Sequence, residues 1–178
     1  MPAMSATRRA PRAGARISYR AIGVVRSPWS ESAGTPIQPP AARGVRGKVI
    51  LTLQLAPALA DLAGFSHIIL LYHCQRAAPP SLLVTPYLDD SPHGVLATRS
   101  PARPNPIGLS VLRLLAVAGT TLEVEDVDIL DGTPVLDLKP FVPAFDVPDG
   151  EVRIGWLTGR VSAAARATAD RRFAKDAS

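Results

Sequence analysis

Asp126-Val-Asp-Ile-Leu-Asp-Gly-Thr-Pro-Val-Leu-Asp-Leu-Lys-Pro140 alternates polar and apolar residues on both sides of Asp131-Gly132. A period of two sends successive side chains to opposite faces of an extended strand, and Asp-Gly is favoured in tight hairpin turns because it accepts positive φ. The stretch predicts two strands, Thr121 to Leu130 and Pro134 to Phe141, folded back on each other. Asp126 and Asp128 then share one face, and Asp137 and Lys139 share another. Solvation alone accounts for such charges. Carboxylates gathered beside cations also mark sites of tuned charge, and both readings stand at this point.

Outward from this stretch the same signal recurs. Ile17 to Val25, Val45 to Leu53, Ser66 to Cys74, Gly94 to Thr98, Ile107 to Val117 and Val152 to Leu157 are apolar or alternating, each bounded by Gly, Pro or acidic residues. Ile107 to Val117 and Thr121 to Leu130 predict a hairpin, so three consecutive antiparallel strands are expected. Only Pro57 to Ala63 and the alanine-rich Ser162 to Ala174 read as helix. Many short strands with turn signals predict a closed or sandwich-like β architecture.

A second segment carries chemistry. Thr98-Arg-Ser-Pro-Ala-Arg-Pro-Asn-Pro-Ile-Gly-Leu-Ser110 holds three prolines, two arginines and an asparagine between two apolar runs. Pro101, Pro104 and Pro106 lack an N–H and push the residues before them out of the α region, so the segment is neither helix nor central strand. It reads equally as a rigid cationic site or as a turn at the rim of a β-fold. Thr35-Pro-Ile-Gln-Pro-Pro40 is a second proline-locked stretch, and preorganised walls lower the entropic cost of holding a ligand.

Composition narrows the alternatives. The chain has 178 residues, 47% of them hydrophobic, enough for one globular domain with a sizeable core. Its single cysteine, Cys74, allows no internal disulfide and sets a reducing cytoplasm as the expected location. No stretch has the length of a membrane span. The net charge of +5 is unevenly placed: residues 1–20 hold five arginines and no acid, whereas 21–150 hold nine basic against twelve acidic residues. Basic ends can neutralise phosphates without reading sequence, and they can equally be solvated tails. Residues 1–16 are expected to be a disordered basic tail.

Metal readings fail on spacing. In the aspartate run the third acid and the glycine arrive one residue late for an EF-hand, and Asp137 takes the place of the closing glutamate. His67, His73, His93 and Cys74 lack zinc spacing, so no metal is expected. A Gly-x-Gly-x-x-Gly turn after a strand is also absent.

The residues Ile22-Gly-Val-Val-Arg-Ser-Pro28, Gln38-Pro39, Gly64-Phe-Ser-His67, Gly94-Val-Leu-Ala-Thr-Arg-Ser100, Arg103-Pro-Asn-Pro-Ile-Gly108 and Asp131-Gly-Thr-Pro-Val-Leu-Asp-Leu-Lys-Pro140 resemble the YaeB, or TsaA-like, family, which includes the TrmO tRNA methyltransferases. The match runs in order from about Tyr19 to Asp146. The resemblance implies an all-β fold, mainly an antiparallel β-barrel with short helices, spanning 17–158 and followed by a short basic helix or tail at 159–178. It implies a homodimer that uses S-adenosylmethionine to methylate N6 of threonylcarbamoyladenosine beside the tRNA anticodon. The longer bacterial members carry a further C-terminal domain, so this chain reads as a short form in which tRNA recognition must be met differently.

The same resemblance implies a cofactor site of Gln38, Pro39 and Pro40, then Arg99 and Leu109, then Asp126, Val127 and Asp128. Arg76 and Ala77 are carried over where the motif match thins. On the acceptor side the candidates are Arg103, Asn105, Asp131 and Lys139. An arginine can grip a phosphate or carboxylate with two parallel hydrogen bonds, and an asparagine offers both donor and acceptor to a base edge. Methyl transfer is an in-line displacement in which orientation supplies up to about 7–11 kcal/mol. A carboxylate beside the cationic sulfur aids binding more than rate, because the charge fades on transfer. Other expectations stay open: a non-catalytic cofactor-binding module, a different methyl acceptor, and an RNA-binding protein without chemistry.

Overall fold

Strand β6 (Ile107–Ala118) sends Ser110, Leu112 and Leu114 inward and leaves the residues between them more open to solvent, as its alternation predicts. It turns at Gly119-Thr120 into β7 (Thr121–Glu125), which buries Leu122 and Val124. A computed structural model describes residues 14–174. In it β1 (Gly23–Arg26), β2 (Arg46–Leu51), β3 (His67–His73) and β8 (Pro134–Pro140) join β6 and β7 in a closed antiparallel barrel of order β1-β2-β7-β6-β3-β8. Short β4 (Leu83–Val84) and β5 (His93–Gly94) pair outside it. Val25, Val49, Ile68, Leu70, Leu112, Leu122, Val124 and Val135 are fully buried and fill the interior. β-Branched and γ-branched side chains on alternate positions suit a small barrel, whose closure leaves no free sheet edge.

The aspartate stretch differs from the expected hairpin. β7 stops at Glu125, and β8 pairs with β1 and β3 instead of β7. Asp126 takes a left-handed φ of 68°, which ends the ladder. The chain then crosses the end of the barrel, burying Val127 and Ile129 as a plug before Gly132, at φ 75°, turns it into β8. The period of two persists without a strand because the barrel interior, and no neighbouring strand, selects the inward residues. Asp137 and Lys139 do share a face, with Nζ and Oδ2 2.7 Å apart.

Four further expectations are corrected. The strand expected from Ile17 begins at Gly23, because residues 17–21 have no partner strand and are exposed. Of Gly94 to Thr98 only Gly94 lies in a strand, the two-residue β5, and a 3-10 turn follows at Val95–Ala97. Val152 to Leu157 makes no strand, since closure leaves no edge to accept it, and Gly155–Leu157 is a 3-10 turn. Pro57 to Ala63 is replaced by 3-10 turns at Leu53–Leu59 and Leu62–Gly64, with Pro57 inside the first.

The C-terminal helix is also shorter than expected. Beyond α1 (Pro143–Asp146), helix α2 covers only Val161–Ala164, and residues 167–174 lie against two loops through the bridges Pro36–Thr168 and Ala77–Ala174, with a turn from Arg171 to Ala174. Most of the expected basic tail 1–16 lies outside the described residues. No helix among the described residues is long and apolar enough to cross a membrane.

Register decides where the loops go. β1 ends, β2 begins, β3 ends, β6 begins, β7 ends and β8 begins at one end of the barrel. The connections 27–45, 74–106 and 126–133 therefore all emerge together. The other end is closed by the 3-10 turns Leu53–Leu59 and Leu62–Gly64 and the short β6–β7 turn.

Candidate functional site at the loop-bearing rim

Ser110 is the polar member of the inward row of β6, lying where the barrel opens toward the three connections. Its hydroxyl donates to Asp128 Oδ1 at 2.7 Å. With its hydrogen so committed, Ser110 Oγ accepts from the Tyr72 hydroxyl at 3.1 Å. Tyr72 is the last inward residue of β3 and faces Gly108 across the ladder. A Cβ at position 108 would sit 2.1 Å from Cε2 of the Tyr72 ring, so only glycine admits the ring there. Tyr72, Ser110 and Asp128 thus form a hydrogen-bonded chain from β3 through β6 to the 126–133 connection.

Burial pushes the Asp128 carboxyl up to about 6, against the opposing pull of the Ser110 hydrogen bond and the Arg99 charge. Tyr72 is raised well above its ordinary range, first by burial and then by the Asp128 charge, so it stays a neutral donor. Cys74, just past β3, is pushed up to about 11 by burial despite Arg103 nearby, which leaves a protonated, unreactive thiol at neutral pH.

Several expected cofactor residues meet here. Arg99 Nη1 donates to Gln38 Oε1 at 2.9 Å, joining the 74–106 and 27–45 connections. Pro39 and Pro40 open the 3-10 turn Pro39–Ala42, where missing N–H groups cost nothing. Asp126 Oδ1 accepts the Gly44 amide at 2.8 Å, the Val127 amide donates to the Val45 carbonyl, and Trp29 Nε1 donates to the Val127 carbonyl at 2.7 Å. Leu109, 46% exposed, lies beside Ser110 on the outer row of β6. Arg76 Nη1 donates to the Ser30 carbonyl at 2.6 Å, and Ala77 bridges to Ala174.

The acceptor candidates fare differently. Arg103 Nη2 donates to the carbonyls of Val95 and Thr98, at 2.9 and 2.8 Å, and so staples the 3-10 turn ahead of Arg99. Its Nε is buried without a hydrogen-bond partner among the described residues. Asp131 accepts the Ser27 amide and Arg26 Nη1, fixing one turn against another. Asn105 is exposed at the rim. Lys139 lies near the far end of β8, opposite Ile69 and paired with Asp137, away from the rim.

Tyr72 and Ser110 were missed by the sequence reading. The signal for Ser110 was its polarity in the inward row of an apolar strand. Tyr72 gave none, since an aromatic residue ending a core row reads as packing.

The residues 24–147 match the family described as tRNA-methyltransferase O N-terminal domain. A probable S-adenosyl-L-methionine-binding protein of Pyrococcus abyssi is 52% identical over 157 residues, covering 88% of this chain and 85% of the relative. The tRNA (adenine(37)-N6)-methyltransferase of Escherichia coli is 34% identical over 142 residues, which cover 74% of this chain and 60% of that protein. The crystal structure of TrmO from Pseudomonas aeruginosa superposes with a TM-score of 0.67 at 36% identity, covering 80% of this chain and 63% of that one. The chain therefore spans less than two thirds of either methyltransferase. It belongs to the tRNA-methyltransferase O family, and its relatives include proteins named for S-adenosylmethionine binding and others named as methyltransferases.

Proposed function

We propose that this chain transfers the methyl group of S-adenosylmethionine to N6 of threonylcarbamoyladenosine beside the tRNA anticodon. The observation that carries the reading is the partly buried Asp128 carboxylate, held by Ser110 and faced by Arg99, at the rim where the family's motif segments converge.

The residues fit the cofactor chemically. A carboxylate raised by burial is short of compensating positive charge, and a cationic ligand supplies it. Arg99 commits one N–H to Gln38 and keeps further donors for an anionic or hydroxyl-bearing group. Leu109 offers an exposed apolar side chain on the outer row of β6, at the same end of the barrel. Asp128, Arg99, Gln38 and the Pro39–Pro40 wall would hold S-adenosylmethionine, which supplies an electrophilic methyl on a positively charged sulfur.

The protein's share of the chemistry is positioning. The Tyr72–Ser110 chain fixes the Asp128 carboxylate, so little reorganisation is needed when a cation approaches. Proline segments and the Arg103 staple hold the walls, and fixed geometry is what an in-line transfer demands. Asn105, exposed at the rim, is the residue we assign to the acceptor base; Arg103 and Asp131 shape the loops. Homodimer formation and a cytoplasmic location complete the reading.

Incubation with methyl-labelled S-adenosylmethionine and tRNA, with and without the threonylcarbamoyl group, tests it. Label on the modified tRNA alone is expected. Label on both or neither overturns the acceptor. A second reading, cofactor binding with another acceptor or none, is favoured by the Pyrococcus relative, whose name goes no further than S-adenosylmethionine binding.

A further inference from the structure

The segment 167–174 lies beyond the residues 24–147 that match the family, yet it contacts both long connections that carry the rim. At its start the Ala169 amide donates to the Thr35 carbonyl at 2.7 Å. The Gly34 and Ile37 amides donate back to the carbonyls of Ala169 and Ala167, at 2.8 and 3.2 Å. These bonds end one residue before Gln38. At its other end the Ala78 amide donates to the Phe173 carbonyl at 2.9 Å, and Ala174 bridges to Ala77.

Side chains secure this second anchor. Phe173, 8% exposed, packs with Val84, Val95 and Ala102 in a small core separate from the barrel interior. Its ring meets Tyr87 edge to face at 5.1 Å, and the Arg172 guanidinium lies 5.0 Å from the Tyr87 centroid. Arg172 Nη1 also donates to the Pro86 carbonyl at 3.1 Å. A few residues thus join two loops that otherwise meet through single side-chain bonds, Arg76 to Ser30 and Arg99 to Gln38.

We infer that residues 167–174 are a clamp that positions the Gln38 wall and the Arg76–Ala77 and Arg99 walls for cofactor binding. Phe173 and the Ala169 amide are its two positioning contacts. The inference rests on the rim being the cofactor site proposed above. Because the clamp's apolar anchor is not part of the barrel core, releasing it loosens the loops while the barrel stays folded. If the binding-competent arrangement then falls to about a tenth of the population, the apparent Kd rises about tenfold.

The test uses the full chain with Ala169→Pro, which removes the donor to Thr35, and separately Phe173→Ala. S-adenosylmethionine affinity is measured by calorimetry, and amide exchange at Gly34, Ile37 and Ala78 is read without cofactor. The clamp predicts an affinity loss of about tenfold in each variant, lost protection at those amides, and unchanged protection in β3 and β6. Variants that lose protection yet bind as tightly as the wild type overturn it, as do variants whose loops stay protected. A wild-type chain that does not bind the cofactor refutes the reading of the rim and removes the clamp's purpose with it. If Phe173→Ala does not fold, Arg172→Gln, which removes the Pro86 bond and the charge over Tyr87, takes its place with the same expectations.

Discussion

The Ser110 hydroxyl holds Asp128 Oδ1 at 2.7 Å, linking an inward position of a barrel strand to the connection that plugs the barrel's end. The carboxylate therefore sits on the scaffold and not on a free loop, with Tyr72 behind it.

Ser110→Ala leaves the Tyr72 hydroxyl and Asp128 Oδ1 without this partner. Loss of a buried partner costs about 1–3 kcal/mol, so denaturant unfolding at neutral pH should show a drop in that range. Tyr72→Phe keeps the Ser110–Asp128 bond and should cost less, about 0.5–1.5 kcal/mol. Equal losses in the two variants would place the weight on Tyr72 instead.

Asp128 gives the chain a pH signature. Its carboxyl is raised from 3.8 to about 6 in the folded state, so between those values the folded chain binds more protons than the unfolded one. The group's contribution is most favourable below 3.8 and declines as pH rises through about 6. Cofactor affinity should move the other way, strengthening as Asp128 ionises through the same window. Asp128→Asn should flatten both profiles, which unfolding titrations from about pH 3.5 to about 8, and calorimetric titrations over the part of that range where the chain stays folded, would read. Retention of both slopes in that variant would assign them to another group.

Gly108→Ala should be destabilising out of proportion to its size. The new Cβ would meet the Tyr72 ring at 2.1 to 2.7 Å, and the ring is held by its hydroxyl as well as its packing. Overpacking of this kind costs about 1–3 kcal/mol. Combining it with Tyr72→Ala should recover part of the loss, a coupling that a double-mutant cycle measures.

Arg103→Ala separates a structural arginine from a substrate-binding one. The Thr98 carbonyl loses its side-chain donor and the Val95 carbonyl keeps only those from Thr98, so the 3-10 turn ahead of Arg99 should loosen. A fall in stability of about 1–3 kcal/mol is expected, with cofactor affinity reduced through the displaced Arg99. Unchanged stability with impaired acceptor binding would restore Arg103 to the substrate side.

The β character of the chain was legible because inward residues repeat at period two in β2, β3, β6 and β7. The same period misled at Asp126 to Leu130. Val127 and Ile129 point inward there without a ladder, and a left-handed residue such as Asp126 leaves no mark in an alternation pattern. Residues 167–174 misled for a related reason. Alanine favours helix in isolation, but the amides of Gly34, Ile37 and Ala78 take their carbonyls into non-local bonds, and tertiary pairing overrides propensity. The quoted motifs brought Gln38, Arg99 and Asp128 to one rim, while Lys139, from the same aspartate-bearing run, lies toward the opposite end. Strand pairing decides which end a residue reaches, and pairing order is not written in local spacing.

Calorimetric titration of S-adenosylmethionine into the wild-type chain and the Arg99→Ala and Asp128→Asn variants decides whether this rim holds the cofactor. One cofactor per chain is predicted, with affinity at least about tenfold weaker in each variant because a charge-assisted contact is lost. A wild-type chain that gives no binding heat and no bound cofactor by equilibrium dialysis, or variants that bind as tightly as the wild type, would contradict the placement of the cofactor at this rim.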